Sequence, residues 1–231
     1  MIYIIGNWKS NQTQTQSQIW LSSFAKLNPQ IDPSTNTILC LPFTDIPEAN
    51  RFLSKIPLPL HLGAQDVSPF PSGSHTGQIS ASMLAELVSF CIVGHSEVRR
   101  EENETSENVK DKVINLLKYK ITPIICLDTP YVDEQVKLLL KENVNLSNCI
   151  FAYEPVSAIG SGKAQKATDA QKICTQISFL TGGESSILYG GSVDTDNVAE
   201  YVGQTNIDGV LVGGQSLDPL NFYKLIKQAK P

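Results

Sequence analysis

Eight short apolar runs punctuate this chain, with longer amphipathic stretches between them. The runs are Tyr3–Asn7, Thr37–Leu41, Leu60–Ala64, Cys91–Gly94, Pro123–Cys126, Ile150–Glu154, Ser186–Tyr189 and Gly209–Val212. Most are continuous rather than alternating, as strands buried on both faces are. Helical periodicity fills the gaps. It predicts a helix at Thr15–Leu27, with Ile19, Trp20, Phe24 and Leu27 on one stripe. It predicts others at Asp45–Leu53, Ser80–Val88, Ser106–Lys118, Asp133–Lys141, Thr168–Leu180, Asp196–Val202 and Pro219–Ala229. The helix from Thr168 opens with a Thr-Asp pair that reads as a cap. This rhythm means repeated βα units and a parallel sheet. Eight units is the barrel number, so the expected fold is α/β, a single (β/α)8 barrel over residues 1–231 as one domain. A doubly wound open sheet is the alternative. No G-x-G-x-x-G follows the first strand, which weighs against a dinucleotide-binding version.

Composition removes several function classes. Eighteen basic against 23 acidic residues, with no basic block, excludes an evident nucleic-acid surface. No apolar run reaches bilayer-spanning length, and Met1–Lys9 lacks the pattern of a secretory leader, so no membrane association is expected. The five cysteines are odd in number and show no C-x-x-C spacing. Four lie in or beside apolar runs, which reads as buried free thiols in a reducing cytoplasm. Three histidines without clustered acids or thiols make no metal site.

The most informative stretch is Phe151-Ala-Tyr-Glu-Pro-Val-Ser-Ala-Ile-Gly-Ser-Gly-Lys163. Glu154 ends a strand, and Pro155 stops ladder pairing at once because it has no N–H. Small residues follow, ending in Gly-Ser-Gly-Lys, where backbone N–H groups can approach an anion. One segment thus offers a candidate base, a stiff hinge and an anion-binding lid; the plainer reading is an ordinary strand-to-helix turn with a surface Glu. In a parallel barrel the loops after the strands share one face. That face collects Asn7-Trp8-Lys9, Gly94-His95-Ser96-Glu97, Glu154, Tyr189-Gly190-Gly191-Ser192 and Val212-Gly213-Gly214-Gln215-Ser216. Singly, each has a plainer reading: Lys9 as a solvated strand end, His95 as a helix cap, the paired glycines as ordinary turns. Together at one rim, a base, an imidazole, a lysine and glycine-rich loops suit a small phosphorylated carbonyl compound.

Eight motifs run in order through the chain: G-N-W-K, G-A-Q-D-V-S-P, T-G-Q-I-S-A, V-G-H-S-E, T-P-I-I-C, A-Y-E-P-V, Y-G-G-S and V-G-G. In this the sequence resembles the triosephosphate isomerase family of bacterial type, over nearly its whole length. The resemblance implies proton transfer between neighbouring carbons of dihydroxyacetone phosphate and D-glyceraldehyde 3-phosphate, with no cofactor and no metal. It assigns Glu154 as base, His95 as neutral electrophile and Lys9 as fixed positive charge, with Asn7 as a donor and Glu97 holding Lys9. It places the phosphate on N–H groups of Gly160, Ser192, Gly213 and Gly214. The lid is Pro155, Val156, Ser157, Ala158, Ile159, Gly160, Ser161, Gly162 and Lys163, with Tyr189 and Ser192 as its contacts. From its residues alone the long loop Gln65–Gln78 reads as a functional loop or an Ω-loop; the resemblance implies that it docks into a second subunit of a homodimer, where Thr76 touches the partner's site.

The family pattern breaks in three places. Ser157 stands where a hinge tryptophan is usual. Cys126-Leu-Asp-Thr129 lacks the usual glutamate of C-x-G-E-T. The acidic run Glu101–Glu104 replaces a more aromatic segment. None removes a catalytic group. Two other functions are open: a barrel that binds sugar phosphates without turnover, which should lose Glu154, His95 or Lys9, and a phosphate-binding barrel enzyme of tryptophan or histidine biosynthesis, which would lack A-Y-E-P-V with G-H-S-E.

Overall fold

Each apolar run becomes a strand. The computed structural model describes residues 1–155 and 164–230. The strands are β1 Ile2–Asn7, β2 Thr35–Leu41, β3 His61–Ala64, β4 Phe90–Val93, β5 Thr122–Leu127, β6 Ile150–Tyr153, β7 Ser186–Tyr189 and β8 Gly209–Val212. They pair in sequence order, all parallel, and β8 returns to β1 through Tyr3–Gly209 to close the barrel. This is the (β/α)8 TIM barrel, and the open-sheet alternative falls with the β1–β8 pairing.

The continuous apolar runs are explained by two cores. Within a strand, successive side chains point to opposite faces. Ile5, Ile38, Cys40, Ile92, Ile124, Cys126, Ala152, Leu188 and Leu211 fill the barrel interior. Their neighbours Ile4, Leu39, Val93, Ile125, Phe151 and Val210 face the helices. Both layers are dry, so neither face can be polar. All five cysteines are free and buried.

The helices are α1 Gln14–Lys26, α2 Ile46–Lys55, α3 Ala81–Leu84, α4 Ser96–Glu101, α5 Ser106–Lys118, α6 Val132–Lys141, α7 Ala167–Leu180, α8 Val198–Val202 and α9 Pro219–Gln228. Four expectations need correction. In α1 the buried residues are Ser17, Trp20, Leu21 and Phe24, while Ile19 is exposed. The stripe is therefore rotated by one position, because Trp20 and Phe24 turn toward Phe222 of α9 and bring Leu21 in with them. Helix α3 is one turn long instead of spanning Ser80–Val88, since the chain must already turn at Leu87 and Val88 to enter β4. A helix that periodicity did not show, α4, follows β4 directly. It is too short to display a period, and its start is set by His95. Helix α7 begins at Ala167 after Lys166, so Thr168 and Asp169 lie inside the first turn and are not the cap.

Candidate active site

The ends of β1, β4, β6, β7 and β8 open onto one cavity of 390 Å³. That is within the usual range for a small-ligand site. Asn7, Lys9, His95, Glu154, Ser192, Gly213 and Gly214 line it, so seven residues chosen from sequence meet there.

The G-N-W-K segment is placed by its tryptophan. Trp8 is fully buried, and its indole N–H donates to the Ser216 carbonyl at 3.1 Å. Trp20 of α1 donates to the same oxygen at 3.1 Å. These two bonds tie the β1 end to the β8 end and leave Asn7 and Lys9 on the cavity side. Lys9 sits in the left-handed region at φ 52°, costly for a residue with a Cβ. Two hydrogen bonds hold its backbone there, Lys9 N–H to Asn7 Oδ1, 3.0 Å, and the Gln65 amide to the Lys9 carbonyl, 3.0 Å, and the same amide is anchored on the Cys40 carbonyl at 3.1 Å. The Lys9 ammonium lies 2.6 Å from Glu97 Oε1. Glu97 does not line the cavity; it fixes the residue that does.

His95 caps α4. Its Nδ1 accepts the Glu97 N–H at 3.2 Å, which leaves Nε2 to carry the ring proton. Nε2 lies 3.2 Å from Glu154 Oε1. Burial lowers the His95 pKa most, but the Glu154 carboxylate, its hydrogen bond and Glu97 more than offset this, and the charges move it upward. The Glu97 N–H acts in the other direction, because it occupies the lone pair a second proton needs. We take the neutral Nε2–H form as the one this hydrogen-bond geometry holds.

Glu154 is 3 % exposed, directly after β6. Its Oε2 accepts the Ser96 N–H at 3.3 Å, so both carboxylate oxygens have a donor. The Cys126 thiol hydrogen-bonds it from the barrel interior; burial, then this carboxylate, drives that thiol's pKa well above its ordinary value. Gly190 makes room for the acid, since a Cβ there would come within 2.8 Å of Glu154 Cγ. Pro155 is buried behind it. Glu97 itself is held below the usual carboxylate range: burial opposes this, but the Lys9 bond and the positive partners around it prevail.

The two glycine loops form the opposite wall. After β8, Ser216 N and Leu217 N turn back onto the carbonyls of Gly213 and Gly214. The N–H groups that open this turn have no partner within it, as at any helix start. After β7, Asp194 Oδ1 accepts from Asp196 N and Asn197 N, and Asn197 returns bonds to Asp194 N and Ser192 O. This turn, which shapes the loop around Ser192, was not singled out from sequence. The D-T-D-N run carries the signal, a cluster of residues whose side chains bond backbone nearby.

Tyr189 does not face the cavity but lies under its wall, where its hydroxyl accepts the Gln165 N–H at 3.1 Å. Ala164, also missed from sequence, lines the cavity beside it. Thr76 is exposed and lies outside its own chain's cavity. Val156, Ser157, Ala158, Ile159, Gly160, Ser161, Gly162 and Lys163 fall outside the described residues.

A family model described as triosephosphate isomerase matches residues 2–229. The chain belongs to the triosephosphate isomerase family. Curated relatives with that name include proteins from Corynebacterium glutamicum, 41% identical over 98% of this chain and 96% of the relative, and from Natranaerobius thermophilus, 40% identical over 98% and 95%. A third, from Synechocystis, is 38% identical over 97% of both. In this triosephosphate isomerase family chain Lys9, His95 and Glu154 line one cavity at the strand ends.

A second polar centre was not foreseen. Lys112 of α5 is buried and pairs with Asp66 Oδ1 at 2.6 Å and with Glu104. Its signal was a lysine on the buried stripe of α5, between Val109 and Leu116.

Proposed function

We propose that the chain interconverts dihydroxyacetone phosphate and D-glyceraldehyde 3-phosphate through an enediol(ate), the isomerisation step of glycolysis and gluconeogenesis. One observation carries this reading: a carboxylate and an imidazole N–H stand 3.2 Å apart at the floor of a cavity walled by glycine loops. A proton-abstracting base and a donor for the developing oxyanion are what an enediolate needs.

Glu154 takes the proton from the carbon beside the carbonyl. Its place directly after β6, at the cavity floor beside the His95 ring, supports the role. His95 donates from Nε2 to the carbonyl oxygen as charge develops there. Lys9 adds fixed charge, Asn7 a further donor, and Glu97 keeps the ammonium in place. The substrate phosphate sits on N–H groups of Ser192, Gly213 and Gly214, joined by Gly160 from the lid span, Pro155 to Lys163. Glu154 accepts from His95 and Ser96, and substrate binding exchanges those donors for its own atoms.

The two ends of the chain support one domain over residues 1–231, since β1 pairs with β8 and Trp20 packs 6.1 Å from Phe222. Five buried free thiols fit the reducing cytoplasm. The working unit is a homodimer. A coupled isomerase assay on purified protein tests the function. Turnover of either triose phosphate is the expected result; a protein that binds these compounds without turning them over would be the sensor alternative, and the proposal would fall.

A further inference from the structure

We propose that Tyr201 is a positioning residue for this reaction, holding the Ala164–Gln165 wall of the cavity through the main chain of Gln165. Tyr201 lies on α8 and is 2 % exposed. Its ring stacks on Tyr189, centroids 4.1 Å apart and planes 7° from parallel. Its hydroxyl donates to the Gln165 carbonyl. The Tyr189 hydroxyl accepts the Gln165 N–H at 3.1 Å. Both main-chain groups of one residue are therefore taken by two stacked phenols. A third phenol, Tyr153, packs against Tyr189 with ring centroids 6.4 Å apart.

The arrangement is built rather than incidental. A phenol in a helix's buried face costs stability unless its hydroxyl is bonded, and an aliphatic residue would pack there without that demand. Gly191 lets the Tyr189 ring pass under the β7 loop, since a Cβ at 191 would fall on the Tyr189 hydroxyl. Helix α8 is fixed in turn by the Asp194–Asn197 turn at its start. Gln165 follows Ala164, which lines the cavity, and Tyr153 precedes Glu154. The tyrosines thus set the cavity wall and the base on one rigid unit. Tyr189 touches the wall through its N–H; Tyr201 supplies the remaining constraint, on the carbonyl.

This inference rests on the isomerase reading and needs a test that a loss of stability would not mimic. An enediolate bearing a phosphate ester on the next carbon has a competing path. The C–O bond to phosphate breaks, its electron pair leaves with phosphate, and the remaining enol gains a proton on its terminal carbon as its hydroxyl loses one, giving a three-carbon α-keto aldehyde. No oxidant or reductant is involved. A well-positioned wall suppresses this path by restraining the phosphate and excluding water. A partly unfolded sample loses turnover without changing the ratio of the two products.

The experiment is inorganic phosphate released per isomerisation, with kcat, KM and thermal midpoint, for wild type, Tyr201→Phe and Tyr201→Leu. Phenylalanine keeps the stack and removes the hydroxyl, leaving the Gln165 carbonyl unpaired. The ratio should rise about three- to tenfold, equivalent to roughly 0.7–1.4 kcal/mol of differential barrier. Leucine removes the ring as well and should raise it at least as far; it gives the same readout if the phenylalanine variant fails to fold. A ratio equal to wild type in a folded variant overturns the proposal, whatever happens to the thermal midpoint. A wild type without isomerase activity sinks the parent reading instead, so the two failures are distinct.

Discussion

His95 Nε2 lies 3.2 Å from Glu154 Oε1, while His95 Nδ1 takes the Glu97 N–H. One imidazole is thereby fixed in tautomer by the backbone of α4 and aimed at the acid by β6. The chemistry needs the same orientation, a ring N–H pointing into the cavity. The helix start supplies it with no further side chain.

Glu154→Asp should keep substrate affinity within a few-fold and lose about 10²-fold or more in kcat. Shortening the side chain withdraws the carboxylate by one methylene, and displacement on the order of 1 Å costs this much when proton transfer requires hydrogen-bond reach. The neighbouring Gly190 leaves no bulk to push the shorter acid forward. Steady-state kinetics decide it, and a variant with wild-type kcat would remove Glu154 from the role of base.

The Asp66–Lys112–Glu104 cluster places two carboxylates on one buried ammonium. Burial, opposed by Lys112 and assisted by Glu104, pushes the Asp66 pKa up to about 6 from 3.8. Between those values the native state holds more protons than the unfolded chain, so stability falls as pH rises through the window from 3.8 to about 6. Above it, the ionised acid is a net burden on the fold. Asp66→Asn keeps an oxygen for Lys112, and Glu104 still neutralises the lysine. The variant should therefore melt higher than wild type at pH 8, by about 1–3 kcal/mol or roughly 2–10 °C. The advantage should vanish near pH 4. Melting curves at both pH values check it; a lower midpoint at pH 8 would mean that Lys112 needs both charges.

The barrel was legible because its strands are dry on both faces, which leaves continuous apolar runs. The rim was legible because Lys9, His95 and Glu154 end strands, where a polar residue stands out. What stayed hidden depends on contacts across long sequence separation. Tyr201 reads as one more apolar residue of a short helix; only its neighbours Tyr189 and Gln165 give its hydroxyl a task. Gln65 likewise looks like a loop residue until its amide meets the Lys9 carbonyl 56 residues away. Ile19 was misplaced because two faces of α1 are nearly equal in apolarity, and packing against α9 chose between them.

The last prediction concerns assembly. Thr76 does not reach the cavity of its own chain. It stands on a loop whose base is pinned by Ser68 N–H to the Ile79 carbonyl, 2.8 Å, and whose Phe70 and His75 rings stack 4.4 Å apart. The loop is thus shaped and outward-facing. Phe43 and Phe70, both exposed, line a 320 Å³ groove beside Gly77 and Gln78, and Met83 is exposed on α3. Exposed aromatic residues around a structured, projecting loop favour a protein partner. We propose that this partner is a second copy, with Thr76 reaching Asn7 and Lys9 of the partner subunit. Lys9 is held in a strained conformation, so a contact from outside the chain would add to the backbone bonds that already hold it. Sedimentation should show a dimer at micromolar concentration. Serial dilution should lose activity in step with dissociation, because each released chain lacks the contact on its lysine. A monomer with full specific activity under assay conditions would rule out the cross-subunit role.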